Sequence, residues 1–349
     1  MEKVVSFLAS RIIAGDEMDI LKDHAINVSE GKILSISPSP LGTEVVDLEN
    51  SLLSPMFINA HCHLGDTGAK ELGTGLPLAQ VVNPPDGLKH KFLDKTDQEE
   101  LTQQMKHGLR EMLRNGIIAC ADFREQGLTG VKMLKNAAVD LPIKLIILGR
   151  MNEFGSLSNV WQEAKDILDL ADGLGIRDIA SYPLSLLKDL RKSFPEKIFA
   201  IHVSENFEAE QESTQQHGIG QTARSLEFSP DLLVHLTHTP KSELELVAAS
   251  HTWAITCPRA NSVLGDGLPD VVAWHQAGVP FCLGTDNMMF SSPDMFREMD
   301  YLSRLLRGLH KDPAVIDVKT IFKAATIHAA KALKIDTILG SLSDRKSVV

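Results

Sequence analysis

Two histidines one residue apart, His61 and His63, close the apolar run FINAHCH just before a Gly-Asp turn. If that run is a strand, alternate side chains share a face. Both imidazoles then point one way and Cys62 the other, and two imidazoles on one face are a chelate. Further along, His202 closes KIFAIH with Glu205 three residues on. His235 and His238 lie in DLLVHLTH, and Asp286 ends VPFCLGTD. Three nitrogens and one carboxylate oxygen, from His61, His63, His202 and Asp286, suit one divalent first-row ion, zinc or alternatively iron, with a position left for water. Each residue alone has a plainer reading: a satisfied core histidine, a loop-capping aspartate, a solvated glutamate. Ligand-type residues closing four separate apolar runs favour the metal.

Those runs need a scaffold that brings their ends together. From residue 51 onward eight short apolar runs alternate with helical stretches; the fourth, 176–183, is the weakest. Among the helices, 96–116 shows Thr96 and Glu99 at capping-box spacing, an apolar face of Leu101, Met105, Leu109 and Met112, and a stop at Gly116. The stretch 317–335 reads as one amphipathic helix. Strand-like runs with helical crossovers predict an α/β fold, a parallel (β/α)8 TIM-like barrel, whose active site forms at the C-terminal strand ends. A doubly wound open sheet competes, but no glycine-rich phosphate turn follows an early strand. Residues 1–50 read as short strands, with a hairpin turn at SEGK.

Composition excludes other classes. The chain has 349 residues and a net charge of −11, with no basic block, so no nucleic-acid partner is expected. Its four cysteines, Cys62, Cys120, Cys257 and Cys282, form no CxxC pair and read as buried free thiols of a reducing compartment. No signal peptide and no apolar span of membrane length is seen, so a cytoplasmic location and no membrane partner are expected. His90, His107, His217 and His310 lie in helical or polar stretches and read as surface residues.

The joint pattern resembles the amidohydrolase superfamily, in its cytosine deaminase-like and chlorohydrolase-like branch. PMFINAHCHLG, HVSE, VHLTH, ITCPRANSVLGDG and LGTDN are similar to that branch's motifs, over residues ~20–345. The resemblance implies a barrel over 51–339 and a small β-sandwich built from both termini, 1–50 plus 340–349, reduced here because the chain stops early. It implies that His61, His63, His202 and Asp286 bind the metal, that Glu205 shuttles protons, and that His235 hydrogen-bonds the water or substrate. Period-two alternation takes His238 off that face. Binuclear members carry a bridging lysine on strand four; this run has none, and Lys144 sits at the wrong end of run three, so one metal is expected. The resemblance also implies a homo-oligomer.

The expected chemistry is attack of a metal-bound hydroxide on an sp² carbon, most simply the deamination of an N-heterocyclic base, a small molecule. Asp286 accepts the water's proton and Glu205 acts as general acid/base. Hydrolysis of another C–N bond, as in a cyclic amide, or of a C–Cl bond uses the same centre. A non-catalytic binding protein on this barrel would be expected to have lost a ligand or Glu205. Arg124, Arg150 and Arg259 close three further runs and, with Asn261, are candidate substrate contacts for an acidic group. Pairing of the arginines with Glu125, Glu153 or Asp266 is the alternative. The loop 67–90, rich in glycine and proline, is long enough to cover a substrate.

Overall fold

The computed structural model describes residues 3–152 and 156–347. The chain opens with four strands: β1 (Val5–Ala14), β2 (Asp19–Ser29), β3 (Lys32–Ser37) and β4 (Glu44–Leu53). They pair in the order β3-β2-β1-β4. Glu30 and Gly31 turn β2 into β3 with φ of 49° and 71°, the left-handed geometry of a tight hairpin. The end of the chain runs along the β3 edge: the Ile33 amide donates to Lys346 O at 2.9 Å, and Lys32 bridges Ser347. Where a sandwich was expected, the described residues form this single sheet with the C-terminal tail on its edge.

Nine further strands make one all-parallel sheet: β5 (Phe57–His63), β6 (Ile117–Arg124), β7 (Lys144–Gly149), β8 (Gly173–Ile176), β9 (Ile198–Val203), β10 (Leu232–His235), β11 (Trp253–Thr256), β12 (Phe281–Leu283) and β13 (Asp286–Asn287). β12 pairs with β11 and β13 with β5, yet only Gly284 and Thr285 separate them. One stretch of chain thus forms both edges, and the curled sheet fits the TIM-like barrel that the alternating runs predict. The fourth strand is displaced from its expected place. It spans Gly173–Ile176, and most of 176–183 is bend and turn, because Gly173 and Gly175 allow the backbone close packing that β-branched runs signal elsewhere: a Cβ at Gly173 would meet Ile198 O at 1.9 Å.

Helix boundaries depart from expectation in two places. Helix Gln98–Arg114 is capped by Asp97, whose carboxylate accepts from the amides of Glu99 and Glu100, rather than by Thr96; the Thr96 hydroxyl donates back to Phe92 O. The stretch 317–335 is broken at Thr326 into helices Val318–Ala324 and Ile327–Ala332. The second helix and its C-cap residue send Ala329, Ala330 and Leu333 into one apolar cluster with Ile58, Ala60, Ile146, Ala200 and Val234 of the barrel interior. The outer layer is a separate cluster, where Cys62, Cys120 and Leu233 meet helix residues such as Met105 and Leu109. All four cysteines are buried and unpaired. No helix among the described residues is long and apolar enough to cross a membrane.

Candidate metal centre and active site

The two apolar clusters record which way each strand faces. On β6, Ala119, Ala121 and Phe123 line the interior and Cys120 faces the helices; on β9, Ile198 and Ala200 point in. Alternation therefore carries His202 inward. β5 is less regular. Its pairing with β6 slips between Asn59 and Cys62. Ile58 and Ala60 lie inside, yet Cys62 lies outside with the helices, and the slip lets His61 and His63 take the inner face at the strand's end.

Two other residues reach the mouth by a different device. Strict alternation on β10 would send His235 outward with Leu233. Instead His235 has φ 78° and Leu236 φ 50°, and the left-handed bend turns the imidazole toward the barrel mouth. Asp286 has φ 61°, and Ser204, just before Glu205, has φ 48°. Non-glycine residues in this region cost about 1–3 kcal/mol each, and such strain gathers at functional sites.

The side chains so aimed converge. His61, His63 and Asp286 form one set of ligand atoms all within 4.8 Å of one another, His61, His202 and His235 a second, and Glu205, His235 and Asp286 a third. Asp286 Oδ1 lies 3.1 Å from His61 Nε2 and 3.4 Å from His63 Nε2. The outer nitrogens are tied down. His63 Nδ1 donates to Glu125 Oε1 at 2.8 Å, and His202 Nδ1 donates to the carbonyl of Ile176, at the end of β8, at 3.1 Å. Each bond fixes a tautomer that leaves Nε2 with a lone pair facing the centre, the arrangement that metal-ligating histidines adopt. His61 Nδ1, His235 Nε2 and Asp286 Oδ2 are buried without a hydrogen bond. Buried polar atoms rarely go unsatisfied, so these donors fit a divalent cation.

Electrostatics agree. Burial pushes His61 down to about 3 and His202 well below its usual range, so both rings are neutral and able to ligate. Burial works against the Asp286 carboxylate, but its hydrogen bond to His61 and the neighbouring imidazoles hold it below the usual range. Glu205 is raised, chiefly by burial. His235 is raised because Glu205 and Asp286 outweigh the effect of burial. Glu205 Oε1 and His235 Nε2 are 3.4 Å apart, an electrostatic contact rather than a hydrogen bond.

A cleft opens above these groups. It is lined by His63, His202, Glu205, His235 and Asp286, and across from them by Asn83, Lys89, Arg150, Arg177 and Gln221. Of the expected substrate contacts, only Arg150 lines it. Arg124 has the parity of Cys120 and Asp122, and it is fully buried in the helix layer against Met105 Sδ, Asp122 and Glu125. Arg259 reaches Glu298 Oε1 at 3.2 Å and the carbonyl of Ser292 at 3.1 Å. Asn261 is buried, and its Oδ1 accepts from His235 Nδ1 at 3.3 Å, so it orients His235. His238 turns away, as expected, to the carbonyl of Asp266. Glu153, one alternative partner for the arginines, lies outside the described residues. His90 is half-buried against Val82 O rather than on the surface.

Sequence reading missed a buried polar group beside the centre. Lys89, Asp66 and Glu125 are all almost fully buried; Lys89 Nζ sits 2.5 Å from Glu125 Oε1 and 3.7 Å from Asp66 Oδ2. Asp66 accepts from Asn287 and from the Met289 amide. Burial raises the Glu125 carboxyl, but Lys89, His63 and Arg124 overcome that and hold it well below its usual range. The sequence cues were Asp66 beside the HCH motif and Glu125, the expected alternative partner of Arg124, which Arg124 does pair with.

Residues 52–347 match the model of the Amidohydrolase family. A protein of Methanothermobacter thermautotrophicus named only provisionally as an aminohydrolase is 35% identical over 306 residues, 85% of this chain and 79% of that one. A 5-methylthioadenosine/S-adenosylhomocysteine deaminase of Halobacterium salinarum is 26% identical, covering 90% of this chain and 76% of its own. In three dimensions the chain is similar to a zinc-bound adenosine deaminase from Xanthomonas campestris, with a TM-score of 0.85 at 20% identity over 98% of this chain and 83% of that one.

Proposed function

The chain belongs to the amidohydrolase family, and from that premise we propose that it is a metal-dependent hydrolase that deaminates an N-heterocyclic base or its nucleoside. The observation that carries the reading is the Glu205–His235 pair, two ionisable groups 3.4 Å apart, directly beside the cluster of histidine and aspartate donors. Deamination of a cyclic amidine needs a nucleophilic water, a proton for the ring nitrogen and a proton for the departing amine.

His61, His63, His202 and Asp286 would hold one divalent ion, zinc in our reading. When bound, such an ion supplies Lewis acidity and lowers the pKa of water to about 7. The chain's own groups do the rest. Asp286 Oδ2, which makes no hydrogen bond, takes the proton that water loses. Glu205, whose carboxyl burial raises, would give a proton to the ring nitrogen, pass the proton that Asp286 took from water to the leaving amine, and regain a proton from the new hydroxyl as the ring carbonyl forms. His235, oriented by Asn261, donates to the oxygen as negative charge develops on it. The products are ammonia and a ring carbonyl. A single ion is favoured because β8 carries no lysine. Arg150 is the candidate contact for a polar substituent of the substrate. We read residues 1–50 with 340–349 as one unit and 51–339 as the catalytic one, in a cytoplasmic homo-oligomer.

The test is ammonia release. Zinc-loaded protein is incubated with free purines, pyrimidines, pterins and nucleosides, with chelated protein as control. Ammonia from one chemical group, abolished by chelation and restored by zinc, supports the proposal. A loaded protein that instead opens a cyclic amide or releases chloride, with no ammonia, moves it to the other C–N or C–Cl chemistry.

A further inference from the structure

Between β5 and helix Gln98–Arg114 the chain makes a long excursion over the barrel mouth, through the helices α1 (Leu78–Val82) and α2 (Leu88–Lys95). Most of α2 is half-buried or exposed. Lys91, Asp94 and Lys95 face solvent, and Leu93 reaches the core. Lys89 does something different. It is a lysine only 2% exposed, on a short surface helix, with its ammonium against Glu125 Oε1 and near Asp66. A lysine is costly to bury unless its charge is paired, so its place has to be held by those carboxylates.

Glu125 Oε1 is the same oxygen that accepts from His63 Nδ1. Its other oxygen takes the Arg124 guanidinium. One carboxylate is therefore shared by a metal-facing imidazole, a strand arginine and a lysine delivered by the covering segment. Arg124 comes from β6 itself and stays whether or not the segment is docked. Lys89 is the member of this group that leaves if α2 lifts away. Asp66 reinforces the link, since it holds Asn287 and the Met289 amide, just past Asp286, and lies within 3.7 Å of the same ammonium.

We propose that Lys89 is a positioning residue: through Glu125 it couples docking of the segment 64–97 to the orientation of His63, so that a docked α2 and a firmly held metal ion favour each other. This rests on the metal reading above and adds a reciprocal linkage to it. Whatever α2 docking contributes to metal affinity, metal must contribute to α2 docking. The segment that covers the substrate cleft would then be ordered by the ion beneath it.

Two measurements test this, both independent of turnover. In the first, wild type and Lys89→Met are loaded with zinc and mixed with a chromogenic chelator. Loss of a partner behind a ligand histidine weakens metal binding about 10–100-fold, and Lys89 acts one contact further back, through Glu125, so zinc release should be faster in the variant by up to about tenfold. In the second, hydrogen exchange over 88–95 is followed in wild type with and without zinc. Exchange should rise on zinc removal, and in Lys89→Met it should be fast in both states. Equal release rates, or α2 exchange that ignores zinc in the wild type, overturns the proposal, and the wild-type arm stands even if the variant fails to fold. If wild type and variant alike take up no zinc, the metal reading itself is wrong and this coupling falls with it.

Discussion

His235 and Glu205 meet at the mouth of the barrel, Nε2 to Oε1 at 3.4 Å, each delivered by a left-handed bend in the backbone, at His235 itself and at Ser204. Neither residue lies where a regular strand would put it. The contact gives the first prediction. Glu205→Gln keeps the size of the side chain but removes the proton carrier. Turnover should fall about 10²–10⁴-fold while bound zinc stays at the wild-type level. Unchanged turnover would remove Glu205 from the mechanism.

His202 is held by the carbonyl of Ile176 and should be a metal ligand in its own right. His202→Ala should lose bound zinc and turnover together, and the folded protein should persist, since one side of the ring lines the cleft. Zinc analysis after gel filtration checks the first half and a circular dichroism spectrum the second, which has to survive loss of the bond to Ile176 O and of the contact with Phe123. Retention of a full equivalent of zinc would contradict the ligand set.

Gly284, between β12 and β13, stands where no side chain fits: a Cβ there would lie 2.7 Å from His61 Cβ and 2.9 Å from its carbonyl oxygen. Gly284→Ala should destabilise the fold by about 1–3 kcal/mol and weaken zinc binding by displacing His61. Gly308, in helix Met295–His310, meets nothing within 4 Å, so Gly308→Ala should instead stabilise by about 0.5–1 kcal/mol. Urea titrations of the two variants should move in opposite directions. A Gly284→Ala protein as stable as the wild type would mean the strand break is looser than described.

Glu298 supplies a pH prediction. Burial pushes its carboxyl up from 4.5 to about 8, and Arg259 offsets only part of that. The folded state then holds a proton that the unfolded chain releases above its ordinary value. Stability from this group is greatest below about pH 4.5, declines as pH rises toward 8, and is flat beyond. Glu298→Gln removes the titration, so the stability difference between variant and wild type should shift in the variant's favour from pH 5 to pH 8. Parallel urea curves at both values would show that Arg259 keeps Glu298 ionised throughout.

Much of this was legible in the chain. Apolar runs ending in His61, His63, His202 and Asp286 mark strand ends because a chelate needs parallel strands to bring distant residues together, and the resemblance named their roles. The rest depended on backbone detail that periodicity does not encode. Alternation would have turned His235 outward; only its positive φ brings it in. The slip in β5 separates Cys62 from Ile58 and Ala60, which strict alternation would group. β8 was misplaced because glycines carry no apolar signal. Arg124 was legible and misread: its parity with Cys120 and Asp122 already pointed it into the helix layer. Lys89 had no signal, since a lysine after a Pro-Pro turn reads as solvent-facing until the fold folds its helix over Glu125.

The most direct test of the account is the zinc content of the purified, repleted wild-type protein. The convergence of donors on one centre, with no lysine on β8, predicts one equivalent per chain. Two equivalents would contradict the mononuclear centre, and none would contradict the metal site on which the chemistry rests.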